Sequence, residues 1–383
     1  MKIVHICLAC FYIDKMAYQE NILPKYHSQN HEVHIITSDF SFDASGRKTK
    51  KEKKEYYNEY NIPVKVLDRS KGLSSRYGGF EKLYSMLCDI QPDVIFCHGG
   101  QFVSLKDVVK YCKRNSHVKL YIDQHGDYYN TPVDTFKKRM GQYLIYGHWM
   151  RKAVRYCEKF WGVTPWRCEF LNDIYRIPAD KIGLLPMGGD DDKIRLAEQH
   201  EISQRIREEN GILSTDFLVV TGGKIDAAKN IDKLMKAVIS LNRDDVKLLV
   251  FGQPNDAMKT EIENLACDPH IRHIGWIPSD TVYNYFLAAD LAVFPGTHSV
   301  LWEQACACGI PAVFRDWEGM HHVDVGGNAI FLHEDSTEEI EQVLLDLYEH
   351  SEKIDKMRKI AQTKGIIEFS YREIARKSIF EDS

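Results

Sequence analysis

The chain has no apolar run long enough to cross a bilayer, which would need roughly 20 consecutive residues. Its first residues, 1–6, are typical of a β-strand. They lack the apolar core and the small-residue cleavage site of a secretion signal. From these absences we expect a cytoplasmic protein that does not span a membrane.

An excess of positive charge is also missing. Lys and Arg number 50 against 55 Asp and Glu, which gives a formal net charge of −5. Nucleic-acid-binding proteins usually carry a strongly basic surface. We therefore expect no nucleic-acid partner.

The sequence lacks a regular cysteine framework, although it contains ten cysteines. Cys7 and Cys10 alone have the spacing of a redox or zinc motif, and no second pair completes a four-ligand site. A structural role is favoured for them over metal or redox chemistry. No catalytic triad or convergent metal-ligand set is found, so we expect no metal and no cofactor.

What the sequence does contain is an alternation of short apolar runs with longer helical patterns, which predicts an α/β fold with parallel sheets. A length of 383 residues favours two domains. The predicted strands of the first half are 2–8, 32–37, 64–67, 94–97, 119–123 and 159–163. Those of the second half are 216–221, 247–251, 270–274, 291–294, 311–314 and 329–331. The Pro/Gly-containing segment 186–192 separates the two series, and residues 369–380 read as an amphipathic helix.

The strongest local signal follows the first strand of the second half. The segment TGGKIDAAKNID at 221–232 places Gly223, Lys224 and Lys229 between a strand and a helix. Glycines allow an anion to approach the backbone, and a helix start favours negative charge. This pattern predicts an anion site, with an ordinary lysine-bearing helix start as the alternative.

A second signal lies at 294–311, where a strand ends in a polar turn before a helix that carries Glu303. A carboxylate among apolar neighbours needs a partner, and a ribose diol would supply one. A capping or salt-bridged glutamate is the alternative. The turn and helix start that we predict to line the site are Gly296, Thr297, His298, Ser299, Val300 and Leu301.

At these residues the chain resembles the retaining glycosyltransferases of the GT-B fold, sequence family four (glycosyltransferase group 1). The family's Gly-Arg/Lys-x4-Lys segment matches Gly223, Lys224 and Lys229, which the resemblance assigns to the donor diphosphate. Its Glu-Ala-x-Ala-x-Gly-x-Pro helix matches EQACACGIP at 303–311 and assigns Glu303 to the donor ribose.

The resemblance assigns further residues and a domain plan. The strand-end histidine near the donor sugar matches His125, the predicted catalytic residue, with His98 as a lesser candidate. Trp276 and Ile277 are predicted to bind the base. The expected domains are a Rossmann-like acceptor-side domain at 1–186, a Rossmann-like nucleotide-sugar domain at 187–365, and a C-terminal helix at 366–383 that packs back on the first domain.

Two departures from the family concern the sugar and the acceptor. The family's first glutamate is replaced by Pro295, eight positions before Glu303, and the loop that follows is shortened. Residues 9–12, ACFY, replace the usual Gly-Gly loop after the first strand.

The implied activity is metal-independent, retaining transfer of a sugar from a nucleotide sugar, expected to be a UDP-sugar. The expected acceptor is a glycan or a polyprenyl-diphosphate-linked sugar in surface polysaccharide synthesis. A nucleotide-sugar epimerase and a non-catalytic nucleotide-sugar-binding protein are the alternatives.

An anionic membrane surface is a further expected partner. The basic stretch 47–54 and the segment 135–152, where cations flank aromatic and aliphatic residues, motivate it. The alternatives are a solvated mobile loop and an ordinary buried helix with a basic end.

Overall fold

A computed structural model describes residues 1–10, 12–42, 48–70, 77–199 and 202–380. The chain divides into two compact units. Unit 1 comprises Met1–Pro186 together with Ile374–Ser383, and unit 2 comprises Met187–Glu373.

Unit 1 is built on an eight-stranded sheet in the order β10-β9-β8-β7-β1-β2-β6-β5, with a separate β3-β4 hairpin. All pairings in the large sheet are parallel except β5 with β6. Its central strands β1, β7 and β8 are almost wholly buried because a parallel sheet is covered on both faces, and they include the buried polar residues His5 and Asp123. The strands are β1 Lys2–Cys7, β2 Glu32–Ser38, β3 Phe40–Phe42, β4 Lys48–Lys50, β5 Glu55–Tyr57, β6 Pro63–Leu67, β7 Val94–Cys97, β8 Lys119–Gln124, β9 Cys157–Gly162 and β10 Ile182–Leu184.

The helices that flank this sheet are α1 Gln19–His27, α2 Leu83–Ile90, α3 Leu105–Arg114, α4 Phe136–Ala153 and α5 Pro165–Tyr175. Two of them begin at threonine caps. Thr164 accepts from the backbone N–H of Arg167 at the start of α5, and Thr135 accepts from that of Lys138 at the start of α4.

Unit 2 has a six-stranded, all-parallel sheet in the order β13-β12-β11-β14-β15-β16. Its strands are β11 Phe217–Gly222, β12 Val246–Phe251, β13 Ile271–Gly275, β14 Leu291–Phe294, β15 Ala312–Arg315 and β16 Ala329–Leu332. Its helices are α6 Asp191–Gln199, α7 Ile202–Glu209, α8 Ile231–Leu241, α9 Lys259–Leu265, α10 Val282–Ala288, α11 Leu301–Ala307, α12 Thr337–Glu349, α13 Ser351–Ile360 and α14 Ile366–Glu368.

The last helix, α15 Tyr371–Ser378, begins in unit 2 and ends in unit 1. Within unit 1 the Trp161 Nε1–H donates to the Ser378 carbonyl at 2.9 Å, and the Tyr121 hydroxyl donates to that of Ile379 at 3.1 Å. The C-terminal residues therefore complete unit 1.

The structure confirms the α/β class with two parallel sheets, and each predicted strand is present within about two residues of its expected ends. The short strands β3, β4, β5 and β10 were not predicted. No helix of the described residues is long and apolar enough to cross a membrane.

The loop interpretation of the basic stretch 47–54 was wrong for Lys48–Lys50, whereas residues 51–54 lie outside any helix or strand; Arg47 lies outside the described part. Lys48–Lys50 form β4, which pairs with β3. Lys50 lies 3.3 Å from Asp39, and the Lys51 amine lies 4.7 Å from the Tyr12 ring centroid. Burial lowers the pKa of Lys51. Lys51 is thus half-buried against an aromatic neighbour, whereas Lys50, Lys53 and Lys54 remain exposed.

The segment 135–152 is helical, as α4, but it is not an ordinary buried helix. Only Gly147, Met150 and Ala153 are buried along it. Phe136 is 78% exposed and Leu144 is 59% exposed.

Candidate functional site

The loops that follow β11 and β14 meet at one edge of the unit 2 sheet. Gly296 makes this approach possible, because a Cβ at this position would lie 2.3 Å from the Lys229 Cα atom. The Thr297 N–H donates to the Ala228 carbonyl at 2.9 Å, and the Asn230 side-chain amide donates to that of Pro295 at 3.0 Å. The structure thus brings two independently predicted segments together.

Lys229 links these loops directly. Its Nζ donates to the carbonyls of Thr297 at 2.6 Å and His298 at 3.2 Å. Burial lowers the pKa of Lys229. A lysine held in this way is desolvated and positioned beside the predicted donor loop.

The other two members of the predicted diphosphate set differ from each other. Gly223 has φ +110°, and a Cβ there would lie 2.9 Å from the Leu301 side chain, so Gly223 abuts the start of α11. The Lys224 side chain is 75% exposed and lies 3.4 Å from Asp226. Lys224 is therefore free to move toward an anion, whereas Lys229 is held in place.

The remaining donor-site predictions lie along the same edge. Ser299 and Val300 accept the first backbone hydrogen bonds of the α11 region, from Trp302 and Gln304. Trp276, with the partly buried Ile277, follows β13, two strands from β11, and is 68% exposed. An exposed indole at this edge offers a flat face on which a base could stack.

Glu303 is fully buried on α11 and forms a cluster with two histidines, which we call the Glu303 cluster. Its Oε1 accepts from His298 Nε2 at 2.8 Å and from His322 Nε2 at 3.0 Å. Its Oε2 has no hydrogen-bond partner in the described part of the chain. Burial by itself would raise the pKa of Glu303, but the two histidines lower it well below its usual range. Glu303 thus has partners already, with one oxygen left over for a further donor.

Asp123, at the end of β8, forms the corresponding Asp123 cluster in unit 1. Its Oδ2 lies 2.9 Å from His98 Nδ1 and 3.3 Å from His125 Nε2, and its Oδ1 accepts from the Gly99 N–H at 2.7 Å. Burial opposes ionisation of Asp123, but the two histidines hold its pKa well below the usual range. The carboxylate is therefore ionised and its two oxygens are both in use.

His125 itself is positioned with its side chain 34% exposed. Burial disfavours the charged ring, but Asp123 outweighs burial and raises the pKa of His125. His125 is consequently a partly exposed histidine that stays protonated to a higher pH than a free histidine.

Sequence reasoning missed several groups around His125. Arg167, on the first turn of α5, lies 3.1 Å from Asp127, and its Nε and Nη1 have no partner among the described residues. Gln124 Oε1 is also unpaired in the described part. The signal available in the sequence was the position of Arg167 just after β9, at a strand end. His322 had no comparable signal.

The two clusters are the groups of described residues whose potential metal-ligating atoms lie within 4.8 Å of one another. In each of them both histidines face a carboxylate oxygen at hydrogen-bond or ion-pair distance. These contacts give each cluster an internal partner for its charge without an ion.

Two Rossmann-like parallel sheets with flanking helices are the architecture of the GT-B glycosyltransferase fold. Family models extend this from fold to family. The model described as glycosyl transferases group 1 matches residues 202–364, and that of glycosyltransferase family 4 matches residues 18–193. The chain belongs to the group 1 glycosyltransferases. No curated protein sequence matches it.

Solved structures share the fold at low sequence identity. HepE from Anabaena, in complex with UDP, is 14% identical with a TM-score of 0.68, and 98% of each chain is covered. WaaG, a glycosyltransferase involved in lipopolysaccharide biosynthesis, is 17% identical with a TM-score of 0.64 over 99% of this chain and 100% of that one. The UDP-GlcNAc 2-epimerase of Neisseria meningitidis, bound to UDP-GlcNAc, is 12% identical with a TM-score of 0.62 over both whole chains.

Proposed function

We propose that this glycosyltransferase moves a sugar, with retention of configuration, from a UDP-sugar to a glycan or lipid-linked acceptor in surface polysaccharide synthesis. The observation that carries the donor part is the junction of the β11 and β14 loops, where Lys229 donates to two carbonyls of the 296–301 segment. Matches to two family models and the UDP complex of HepE, which has the same fold, support it.

In this proposal Lys229, Gly223 and Lys224 bind the donor diphosphate. When a diphosphate binds, Lys229 can donate to its charged oxygens instead of to the two backbone carbonyls. Hydrogen bonds to charged oxygens are roughly twice as strong as bonds between neutral groups. Negative charge grows on the diphosphate as the sugar leaves, so these lysines stabilise the transition state more than the bound donor.

We further propose that Glu303 binds the ribose through its unpaired Oε2, and that Trp276 and Ile277 contact the base. His125 donates a hydrogen bond to the transferred sugar, a role favoured by its partial exposure and its raised pKa. No metal is needed in this scheme, because lysine charge meets the diphosphate and each buried carboxylate already faces two histidines. Activity that survives chelation with EDTA supports this point, and activity restored only by a divalent cation contradicts it.

We also propose that α4 contacts an anionic membrane that carries the acceptor, at the inner face of the membrane. Phe136, Met140 and Leu144 are exposed at helical spacing beside Lys137, Lys138 and Arg139. Exposed apolar side chains next to cations suit an interface between headgroups and acyl chains. We expect the protein to sediment with anionic vesicles but not with neutral ones, and the bound fraction to fall as salt is added. Equal and negligible binding to both vesicle types contradicts it.

The test of the donor site is Lys229→Ala, with Lys236→Ala as a matched control on the outer part of α8. Lys236 pairs with Glu261 at 2.6 Å and takes no part in the proposed site. We expect Lys229→Ala to lower transfer by about tenfold or more, the loss of one charge-assisted bond. Unchanged donor affinity and unchanged kcat in this variant contradict the assignment.

Two control reactions separate the proposal from other activities of this fold. Incubation with UDP-sugar and no acceptor should leave the sugar configuration unchanged, whereas an epimerase would invert one carbon. A nucleotide-sugar-binding protein would show UDP-sugar-induced thermal stabilisation without transfer across an acceptor panel.

A further inference from the structure

Three buried histidines run from Asp123 into the interior of unit 1, and we call them the histidine string: His98, His5 and His27. His98 follows β7, His5 lies in the middle of β1, and His27 ends α1. Their exposed fractions are 0%, 0% and 2%. None of the sequence motifs pointed to His5 or His27.

Hydrogen bonds connect the string from end to end. His98 Nδ1 faces Asp123 Oδ2 at 2.9 Å, and His98 Nε2 faces His5 Nδ1 at 3.0 Å. His5 Nε2 faces His27 Nδ1 at 3.0 Å, and His27 Nε2 faces the Ala375 carbonyl of α15 at 2.8 Å. All six ring nitrogens are therefore used in four contacts.

Counting protons shows that the string cannot be neutral and fully hydrogen-bonded. Each end of it meets an oxygen that only accepts: the ionised carboxylate of Asp123 and the backbone carbonyl of Ala375. Four hydrogen bonds need four N–H protons, whereas three neutral imidazoles supply one each. One excess proton satisfies every contact, and the positive charge then lies opposite Asp123.

The Ser378 hydroxyl does not remove this requirement. It lies 3.2 Å from His27 Nε2 and donates to the Ala375 carbonyl at 2.7 Å. Even if it turned toward the ring, a ring nitrogen without a proton would still face the carbonyl oxygen at 2.8 Å. Burial, followed by its two histidine neighbours, lowers the pKa of His5 well below the usual value. The charge is therefore best placed on His98, next to Asp123.

We propose that the histidine string holds one excess proton inside unit 1 and, through Asp123, sets the protonation of His125. His98, His5 and His27 are then positioning residues for the transfer reaction. The cation on the string neutralises Asp123, so that His125 senses only part of its charge. The link to catalysis rests on the proposed role of His125; the proton count does not.

The other titratable groups near these residues stay the same in the variants used below. Glu20 raises and Arg167 lowers the pKa of His125. Burial raises the pKa of Cys7 and Cys97, and the hydrogen bond to Cys7 raises that of Cys10, so these thiols remain neutral. A change in His125 titration can then be attributed to the string.

The test compares two substitutions at the far end of the string. In His27→Phe the contact with Ala375 is gone, two rings remain for two hydrogen bonds, and no excess proton is needed. In His27→Gln the amide N–H can donate to Ala375 and the amide oxygen can accept from His5, so the excess proton is still required. His34→Gln, at a histidine of β2 that pairs with Glu32, is the control outside the string.

Side-chain 15N NMR of the histidines in the full-length protein is the measurement, because it distinguishes charged from neutral rings and needs no substrate. We expect one charged ring in the string at pH 7 in the wild type and in His27→Gln, and none in His27→Phe. The titration midpoint of His125 should rise by about one pH unit or more in His27→Phe, since one neutralising charge has been removed.

Three neutral rings in the wild type overturn the proposal, as does a His125 midpoint that is the same in His27→Phe and His27→Gln. If His27→Phe does not fold, the wild-type ring states and the His27→Gln titration still decide the proton count. The pH profile of transfer should shift with the His125 midpoint. A shifted midpoint with an unchanged pH profile leaves the string in place and contradicts the proposed role of His125 instead.

Discussion

The Asp123 cluster and the Glu303 cluster have the same chemical parts and differ in how those parts are used. Each cluster has a fully buried carboxylate that faces two histidines. The Asp123 cluster lies in unit 1 and the Glu303 cluster lies in unit 2. Asp123 uses both oxygens and continues into the histidine string. Both histidines of the Glu303 cluster donate to Oε1, and Oε2 has no partner among the residues that the structure describes.

This difference separates a closed site from an open one. A buried carboxylate oxygen without a partner carries a desolvation cost that an incoming donor can remove. Glu303 is therefore suited to bind a ligand, while Asp123 is suited to hold a neighbouring ring in one state. A carboxylate with two histidines thus performs different tasks according to whether its second oxygen has a partner.

The largest expected contrast is in stability. In Asp123→Asn the amide N–H can donate to His98 Nδ1, so the string can release its excess proton. The charge-assisted contacts of the carboxylate with His98 and with the Gly99 N–H are nevertheless lost, and we expect the free energy of local unfolding in unit 1 to fall by about 2–3 kcal/mol. In Glu303→Gln the amide oxygen can still accept from both Nε2–H groups, so a loss of about 1 kcal/mol is expected in unit 2.

Hydrogen exchange at the amides of β1 and β7, compared with β14 and β15, measures the two units separately, which a single melting curve of a two-unit chain does not. Equal losses in both units would show that the two clusters store charge in the same way.

The next largest contrast is between a variant that lowers turnover and a variant that weakens donor binding. His125→Ala is expected to lower kcat by about tenfold or more while the Kd for UDP barely changes, since a hydrogen bond made in the transition state is lost. His298→Ala should instead raise the donor KM, because the His298 side chain holds Glu303 in place. Steady-state kinetics together with UDP titration distinguish the two. Full activity of His125→Ala would assign this histidine a structural role.

A smaller effect tests the open oxygen of Glu303. Glu303→Gln should weaken UDP by about fivefold more than it weakens 2′-deoxy-UDP, because only the ribonucleotide offers the hydroxyl that the carboxylate would accept from. Calorimetric titration of both nucleotides against the wild type and the variant measures this difference. Equal losses for the two nucleotides mean that Glu303 does not bind that hydroxyl.

The smallest expected effect is a difference in pH dependence. The folded-state pKa values of Asp123 and Glu303 are depressed, so their stabilisation is present above the unfolded values of about 3.9 and 4.3 and is lost as pH falls through the folded values. The folded-state pKa of His125 is raised, so its contribution is complete below about pH 6.5 and is lost as pH rises through the folded value.

From these three groups alone, the local stability of unit 1 should fall both at acid pH and as pH rises above neutral. The local stability of unit 2 should fall only at acid pH. Hydrogen exchange corrected for the intrinsic pH effect provides the comparison. A parallel response of both units in Asp123→Asn, but not in the wild type, would locate the extra dependence in the Asp123 cluster.

Much of the fold could be predicted because many of the parallel strands have short, largely apolar sequences. Strand β14, Leu291–Phe294, is an example, buried at every position. The edge strands β5 and β10 were missed because three residues are too few to give such a signal. Their pairing depends on a neighbour that the local sequence does not reveal.

The site was predictable where a loop motif is local and unpredictable where partners are distant. Gly223 and Lys229 stand in one short segment, whereas His5 and His98 are 93 residues apart and His27 and Ala375 are 348 apart. A proton count requires every partner to be known, so no reading of one segment could have reached it.

The path of α15 has a consequence for how the chain is made. A polypeptide leaves the ribosome from its N-terminus, and domains generally fold as they emerge. All residues of unit 2 exist by Glu373, but His27 and Trp161 in unit 1 await acceptors that belong to Ala375 and Ser378. The unit that is synthesised first is therefore expected to be completed last, after all residues of unit 2 have been made, and chains that stop at Glu373 should carry a finished unit 2 beside an unfinished unit 1.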